Sequence, residues 1–175
     1  MHVAVERITE FKKADLHDIC QATIDAVKDG IGFNWTMPPP VEVLESYYKG
    51  VLMVPERVLC GARLDDTLAG TIQLVKPGAT KQTTAFAASI EAHFVAPWAR
   101  GHGLAVALLQ LAEKEAVKAG FKSIRLSVRA TQEAAIKLYE DNGYTRWGVL
   151  PEYEYVGGKM IAGHFFYKSF LEKAA

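Results

Sequence analysis

The sequence predicts a single-domain, mixed α/β layer fold, on three observations. The chain has 175 residues, the length of one domain able to bury its own core. Half of the residues are apolar and 23% are charged, the composition of a soluble globular protein rather than a disordered or fibrous one. Strand-like and helix-like patterns then follow one another in the order β α α β β β α β α β β, with two hairpin signals.

Residues 3–8 alternate as a short strand. From Asp15, the residues Leu16, Ile19, Cys20, Ile24 and Val27 recur at helical spacing. Residues 30–40 are a loop by their Gly and Pro content, yet they hold Phe33, Trp35 and Met37, which either plug a core edge or line a pocket. Residues 41–52 form a second helical stretch. Residues 58–64 and 68–75 make a hairpin around Asp65-Asp66-Thr67. A polar stretch over 77–83 leads into an apolar run over 85–96, which reads as a central strand buried on both faces. The strongest helix covers 103–119, with Leu104, Leu108, Leu111 and Ala112 as its apolar stripe and Gly120 as its stop. Residues 121–128 alternate as a strand. Thr131 can cap a short helix through Tyr139 that stops at Asn142-Gly143. The last two strands, 144–156 and 159–170, are joined by Gly157-Gly158, a two-residue hairpin turn.

Charge and cysteine content exclude several function classes. Twenty basic and twenty acidic residues cancel, so no bulk attraction to nucleic acid is expected. Cys20 and Cys60 are too few for a disulfide framework and lack metal-ligand spacing, and no pair of histidines has helical or turn spacing, so no metal is expected. No stretch reaches the roughly 18 apolar residues of a membrane helix. The N-terminus lacks a basic region followed by an apolar run. Together these point to a cytoplasmic protein with no nucleic-acid or membrane partner.

The most informative stretch is 94–105, Phe-Val-Ala-Pro-Trp-Ala-Arg-Gly-His-Gly-Leu-Ala. A buried strand ends at Pro97, and a basic, Gly-rich turn feeds directly into a helix. Glycines allow close approach of a ligand to the backbone, and the first N–H groups of a helix have no intrahelical partner. With the helix dipole and the forked donors of Arg100, they suit a phosphate or pyrophosphate. Six basic residues against two acidic ones over 97–129 agree with this, whereas residues 1–70 carry seven against eleven. No Gly-Lys-Ser/Thr occurs, which removes the kinase-type phosphate loop. Val106 stands where a dinucleotide fingerprint needs Gly or Ala, and no acidic residue ends the next strand.

The stretch resembles the acyl-CoA-binding motif of the GNAT superfamily of N-acetyltransferases, Arg/Gln-x-x-Gly-x-Gly/Ala, as Arg100, Gly103 and Ala105, preceded by Val95-Ala96-Pro97. Downstream, Ala135, Leu138-Tyr139 and Gly143-Tyr144 resemble the superfamily's second motif, with Gln132 where Asn is frequent. The resemblance implies an α/β, single-domain GNAT-like fold with a mixed, mostly antiparallel central sheet and helices on both faces. It implies acetyl-CoA as co-substrate and direct transfer of the acetyl group to a primary amine in a ternary complex. It further implies that backbone groups of Phe94 and Val95 bond the pantetheine arm and that the N–H groups of Gly101, His102, Gly103, Leu104 and Ala105 hold the pyrophosphate. Gln132 can bond the cofactor arm with the same donor and acceptor as Asn, one methylene further out.

Tyr139 aligns with the tyrosine that often protonates the departing thiolate; otherwise it closes the short helix against the sheet. An ammonium must lose its proton before attack, so a base is needed. Strand alternation places Glu91 and His93 on the face of Val95, and a carboxylate in an apolar run is costly unless it has work or a partner. Glu91 is the first choice of base and His93 the second; a structural hydrogen bond or ion pair is the other reading of Glu91. Phe33, Trp35, Tyr153 and Tyr155 suggest an acceptor, small molecule or peptide, with an apolar or flat part, and Asp29, Glu152 and Glu154 could attract its cation. Strand edges near the C-terminus leave room for a homodimer. Two other readings stay open: a CoA-binding sensor or structural protein of the same fold, and a transferase for a longer acyl group.

Overall fold

The computed structural model describes residues 1–30 and 33–171. Ile31 and Gly32, part of the expected acceptor loop, lie outside the described residues. The eleven elements occur in the predicted order: β1 Val3–Ile8, α1 Asp15–Lys28, α2 Val41–Met53, β2 Arg57–Leu64, β3 Thr67–Val75, β4 Ala87–Val95, α3 Leu104–Lys118, β5 Ser123–Arg129, α4 Glu133–Asp141, β6 Thr145–Val156 and β7 Lys159–Ser169. The seven strands form one mixed sheet in the order β1-β2-β3-β4-β5-β7-β6. The chain divides into two compact units, Met1–Val75 with Ile90–Lys114 and Lys76–Ser89 with Glu115–Ala175, so the division falls inside β4.

In the first unit β1, β2 and β3 pair antiparallel, and the β2–β3 turn is the two residues Asp65-Asp66, with Thr67 already paired to Leu64. β3 and β4 run in opposite directions, since Ala69 O accepts from Ala96 N–H at 2.7 Å and Thr71 Oγ1 donates to Ala92 O at 3.1 Å. One face of this sheet is covered by the apolar stripes of α1 and α2: Ile19, Cys20, Leu44, Tyr48 and Val51 pack with Ile8, Leu59, Leu68 and Phe94. Asp15 does not cap α1, whose cap residue is Ala14. Its buried carboxylate instead takes two bonds from Arg63 of β2, at 2.8 and 3.0 Å, and the guanidinium holds its pKa below the usual carboxylate range.

Two expectations change in this unit. The loop aromatic Phe33 is a core plug: it is 8% exposed and its ring meets that of Phe94 edge-on at 4.9 Å. Trp35, half-buried, lies between Phe33 at 5.6 Å and Tyr47 at 5.1 Å. Nor is β4 buried throughout, since Glu91 is exposed. Within the strand Ala92 takes a φ of +48°, in the left-handed region that a side chain disfavours, the mark of a bulge.

In the second unit β4 pairs parallel with β5 over Ala87–Ser89 and Ser123–Arg125, and β7 pairs antiparallel with both β5 and β6. Gly157 and Gly158, at φ +59° and +78°, supply the turn that two-residue hairpins require. The β6–β7 register breaks between Leu150 and Glu154, so Pro151, Glu152 and Tyr153 oppose Ala162 alone. Ala162 O accepts from Ala130 N–H at 2.8 Å instead. The residue at the start of α4 is Gln132 rather than Thr131, and its side chain does not cap the helix.

Candidate active site

The Gly-rich turn belongs to the first unit. Pro97–Ala99 form one tight helical turn, Arg100 is extended, and Gly101 and Gly103 follow at φ +80° and +74°. Open space surrounds the missing Cβ of both glycines, so their role is the left-handed backbone and an uncovered face. α3 begins when Ala107 N–H reaches Gly103 O at 3.1 Å. The N–H groups before it have no intrahelical acceptor, and the dipole of a four-turn helix stands behind them. The His102 ring braces the turn through Nδ1 and Ala99 O at 3.1 Å. This donor set fits a phosphate.

The end of α1 holds the same turn from the side. Asp29 pairs with Arg100 at 2.7 Å, and Asp25 accepts from Trp98 Nε1 at 3.1 Å. In the absence of an anion, Asp29 is the partner of Arg100. The pair is half-exposed and contributes little to stability, so Arg100 can turn to an anion at small cost.

The bulge at Ala92 separates the two residues that alternation had placed together. His93 points to the α3 side, its Nε2 at 2.9 Å from Ala105 O. The carbonyl only accepts, so Nε2 carries the proton. Burial lowers the His93 pKa to about 4, so the ring is neutral at pH 7 and a poor base. It braces β4 against the first turn of α3. Because the unfolded imidazole titrates near 6.5 and the folded one near 4, the unfolded chain binds the extra proton between those values. Stability is unaffected above pH 6.5 and falls as the pH drops through this window. With part of the ring still accessible, the loss is about 2 kcal/mol. The fall in unfolding free energy between pH 7 and pH 4, read by urea denaturation, is expected to be smaller by that amount in His93→Gln, which keeps a donor for Ala105.

Glu91 faces the α2 side. Its Oε2 accepts from Arg57 Nη1 at 2.8 Å, and the same nitrogen donates to Gln73 Oε1 at 2.8 Å. Gln73 Nε2 donates in turn to the Tyr47 hydroxyl at 2.9 Å. Glu91 is thus neither buried nor unpartnered, and its other oxygen, Oε1, has no partner among the described residues. Arg57, Gln73 and Tyr47 were not found in the sequence. The available signal was a glutamine, with Thr71 two positions before it, inside an otherwise apolar strand.

The remaining predicted residues lie in the second unit. Tyr139 is buried, with its ring 5.7 Å from that of Tyr144 and 6.2 Å from that of Phe166, and burial pushes its phenol well above its ordinary pKa. Tyr153 is fixed by a 2.6 Å bond to Ser127 Oγ, by Phe165 at 5.7 Å, and by Gly163, where an added Cβ would come within 2.2 Å of the ring. Tyr155 is exposed. Glu154 pairs with buried Arg129 at 3.0 Å. Among the described residues no three His, Cys, Asp or Glu side chains form a metal-binding group, and no helix is long and apolar enough to cross a membrane.

Known proteins give the fold its context. A curated relative from Azospirillum brasilense, named as an uncharacterized N-acetyltransferase in the hisH–hisA intergenic region, is 53% identical over 130 residues, 74% of this chain and 77% of its own. An N-acetyltransferase from Staphylococcus aureus Mu50 superposes with a TM-score of 0.81 at 19% identity, covering 97% of this chain and 99% of that one. The yncA protein of Salmonella typhimurium, solved with its cofactor acetyl-CoA, gives 0.80 at 16% identity, over 100% and 98% of the two chains. The acetyltransferase (GNAT) family matches residues 21–144, which include the Gly-rich turn, β4 and α4 through Tyr144. With that match and the Azospirillum relative, the chain is an acyltransferase belonging to the acetyltransferase (GNAT) family.

Proposed function

We propose that the protein transfers the acetyl group of acetyl-CoA directly to a primary amine of a small molecule or peptide. The observation that carries this reading is the turn at Arg100–Gly103. Two left-handed glycines leave the first N–H groups of α3 uncovered beside a guanidinium paired with a half-exposed carboxylate. Gly101 to Ala105 hold the pyrophosphate through their N–H groups, and Arg100 adds charge. Phe94 and Val95 bond the pantetheine arm through their backbone, and Gln132 bonds it through its side chain.

Glu91 takes the proton of the acceptor ammonium, directly or through water. An exposed carboxylate with one oxygen fixed and the other open is arranged for that task. Tyr139 keeps its proton across the neutral range and donates a hydrogen bond to the departing sulfur rather than ionising. Trp35, half-buried beside Tyr47, and Tyr153, locked over Gly163, supply flat apolar contact to the acceptor. Phe33 acts behind Trp35.

A homodimer through β6 is part of the reading. It is the outer strand of the sheet and exposes Trp147, Val149 and Leu150.

The test is release of free CoA thiol from acetyl-CoA over a panel of primary amines. Turnover with at least one amine is expected. Gly103→Ala should raise the KM for acetyl-CoA about tenfold, because a Cβ at φ +74° is strained and covers the anion's approach. CoA binding without turnover on any acceptor would favour a sensor, and turnover only with longer acyl-CoA thioesters would favour a different transferase.

A further inference from the structure

We infer that Arg57 is a positioning residue for Glu91, held in place by the buried amide of Gln73 and the hydroxyl of Tyr47. The inference rests on Glu91 acting as the base in the proposed transfer.

Each link has only one workable orientation. Arg57 can only donate, so the Gln73 oxygen must face it, and the Gln73 nitrogen must then face Tyr47. A flipped amide would set donor against donor at 2.8 Å. Both hydrogens of Arg57 Nη1 are used, one on Gln73 Oε1 and one on Glu91 Oε2, which fixes the plane of the guanidinium. Glu91 is consequently tied by one oxygen and presents the other. Gln73 has no exposed surface, whereas Arg57 and Glu91 keep 30% and 52% of their side-chain surface.

Stability does not explain this arrangement. A leucine at a fully buried strand position would serve the core without needing partners, and an exposed ion pair returns little for burying an amide. The backbone adds to the case. Ala92 is held at φ +48°, with its carbonyl fixed by buried Thr71, and that bulge is what turns Glu91 from the α3 side to the side of Arg57. Two neighbouring buried polar side chains of β3, Thr71 and Gln73, thus support the aim of a single exposed carboxylate. Strain together with buried polar groups around one reactive side chain is the pattern of a preorganised site.

The experiment is a double-mutant cycle on the full chain, with the best acceptor of the amine panel, each variant being checked for wild-type circular dichroism. Arg57→Gln is expected to lower kcat about tenfold with the KM for acetyl-CoA nearly unchanged, and Arg57→Lys to recover part of the loss. Gln73→Met should give a smaller loss of the same kind. In the Glu91→Gln background, Arg57→Gln and Gln73→Met should each change kcat less than about twofold, because nothing is left to position. A readout free of turnover accompanies the kinetics. The Arg57 guanidinium should show slow rotation by nitrogen NMR, with its two Nη resonances resolved, and Gln73→Met should merge them.

Losses that add in the double variants, or merged resonances in the wild type, would overturn the positioning role while leaving amine acetylation intact. Failure of every amine to release CoA would instead overturn the transfer reading, and with it the task assigned to Glu91.

Discussion

Glu91→Gln is expected to lower kcat for amine acetylation about 100-fold or more at pH 7, with acetyl-CoA binding unchanged within about twofold. The amide is nearly isosteric with the carboxylate and still offers an oxygen to Arg57 Nη1, so the Arg57–Gln73–Tyr47 contacts persist. What it cannot do is accept a proton from an ammonium. A primary amine with a pKa near 10 is almost wholly protonated at pH 7, so a base is worth most there. The deficit should therefore shrink as the pH is raised toward 9, where free amine becomes abundant. Steady-state kinetics across that range decide the point. A kcat within about threefold of wild type at pH 7 would leave Glu91 as the ion-pair partner of Arg57 and nothing more.

The architecture was legible in the sequence because its signals are local. Strand alternation, the α3 stripe and Gly157-Gly158 each report on residues within a turn or two, and those elements end within a residue or two of where the pattern places them. The Gly-rich turn was legible for the same reason, since its chemistry lies in six consecutive residues. What was not legible depends on contacts between distant segments. Nothing in Ile-Glu-Ala-His announces a bulge, and alanine is not a residue that favours φ +48°, so simple alternation put Glu91 and His93 on one face. At the bulge the Ala92 carbonyl is held from β3, by Thr71.

Charge shows the same limit. The excess of acids over 1–70 suggests a field that draws a cationic acceptor. In the fold, however, Asp15 and Glu6 share Arg63, and Asp29 holds Arg100. Glu91 and Glu154 are likewise matched, to Arg57 and Arg129. The sum over 1–70 already contains Arg63, so of these pairs only Asp29–Arg100 brings in a base from outside the segment and lowers its acidic excess. The pairs do different things at different depths. Asp15–Arg63 is largely buried and ties α1 to β2, whereas Asp29–Arg100 is half-exposed and can exchange partners when an anion arrives.

Gly70→Ala is expected to be the most damaging single-methyl change in the first unit, lowering stability by about 3 kcal/mol. Gly70 lies in β3 beside β4, and an added Cβ would stand 2.4 Å from Phe94 O and 3.0 Å from Val95 Cα. Both are backbone atoms, so no side chain can swing aside; the strands must separate. The shift would fall on Ala96 N–H and Ala69 O, 2.7 Å apart, and on the two residues proposed to bond the pantetheine arm. The KM for acetyl-CoA should accordingly rise even under conditions where the variant remains folded. Gly50→Ala is the matched control: this glycine is inside α2 with open space at its Cβ, and the change is expected to stabilise by up to about 1 kcal/mol. Urea denaturation of the two variants, read beside acetyl-CoA titrations, separates a general effect of adding a methyl group from the close approach of β3 to the Phe94–Val95 end of β4. A Gly70→Ala protein as stable as Gly50→Ala would show that β4 can give way at Phe94–Val95, and would remove the case that this segment is rigidly set for its ligand.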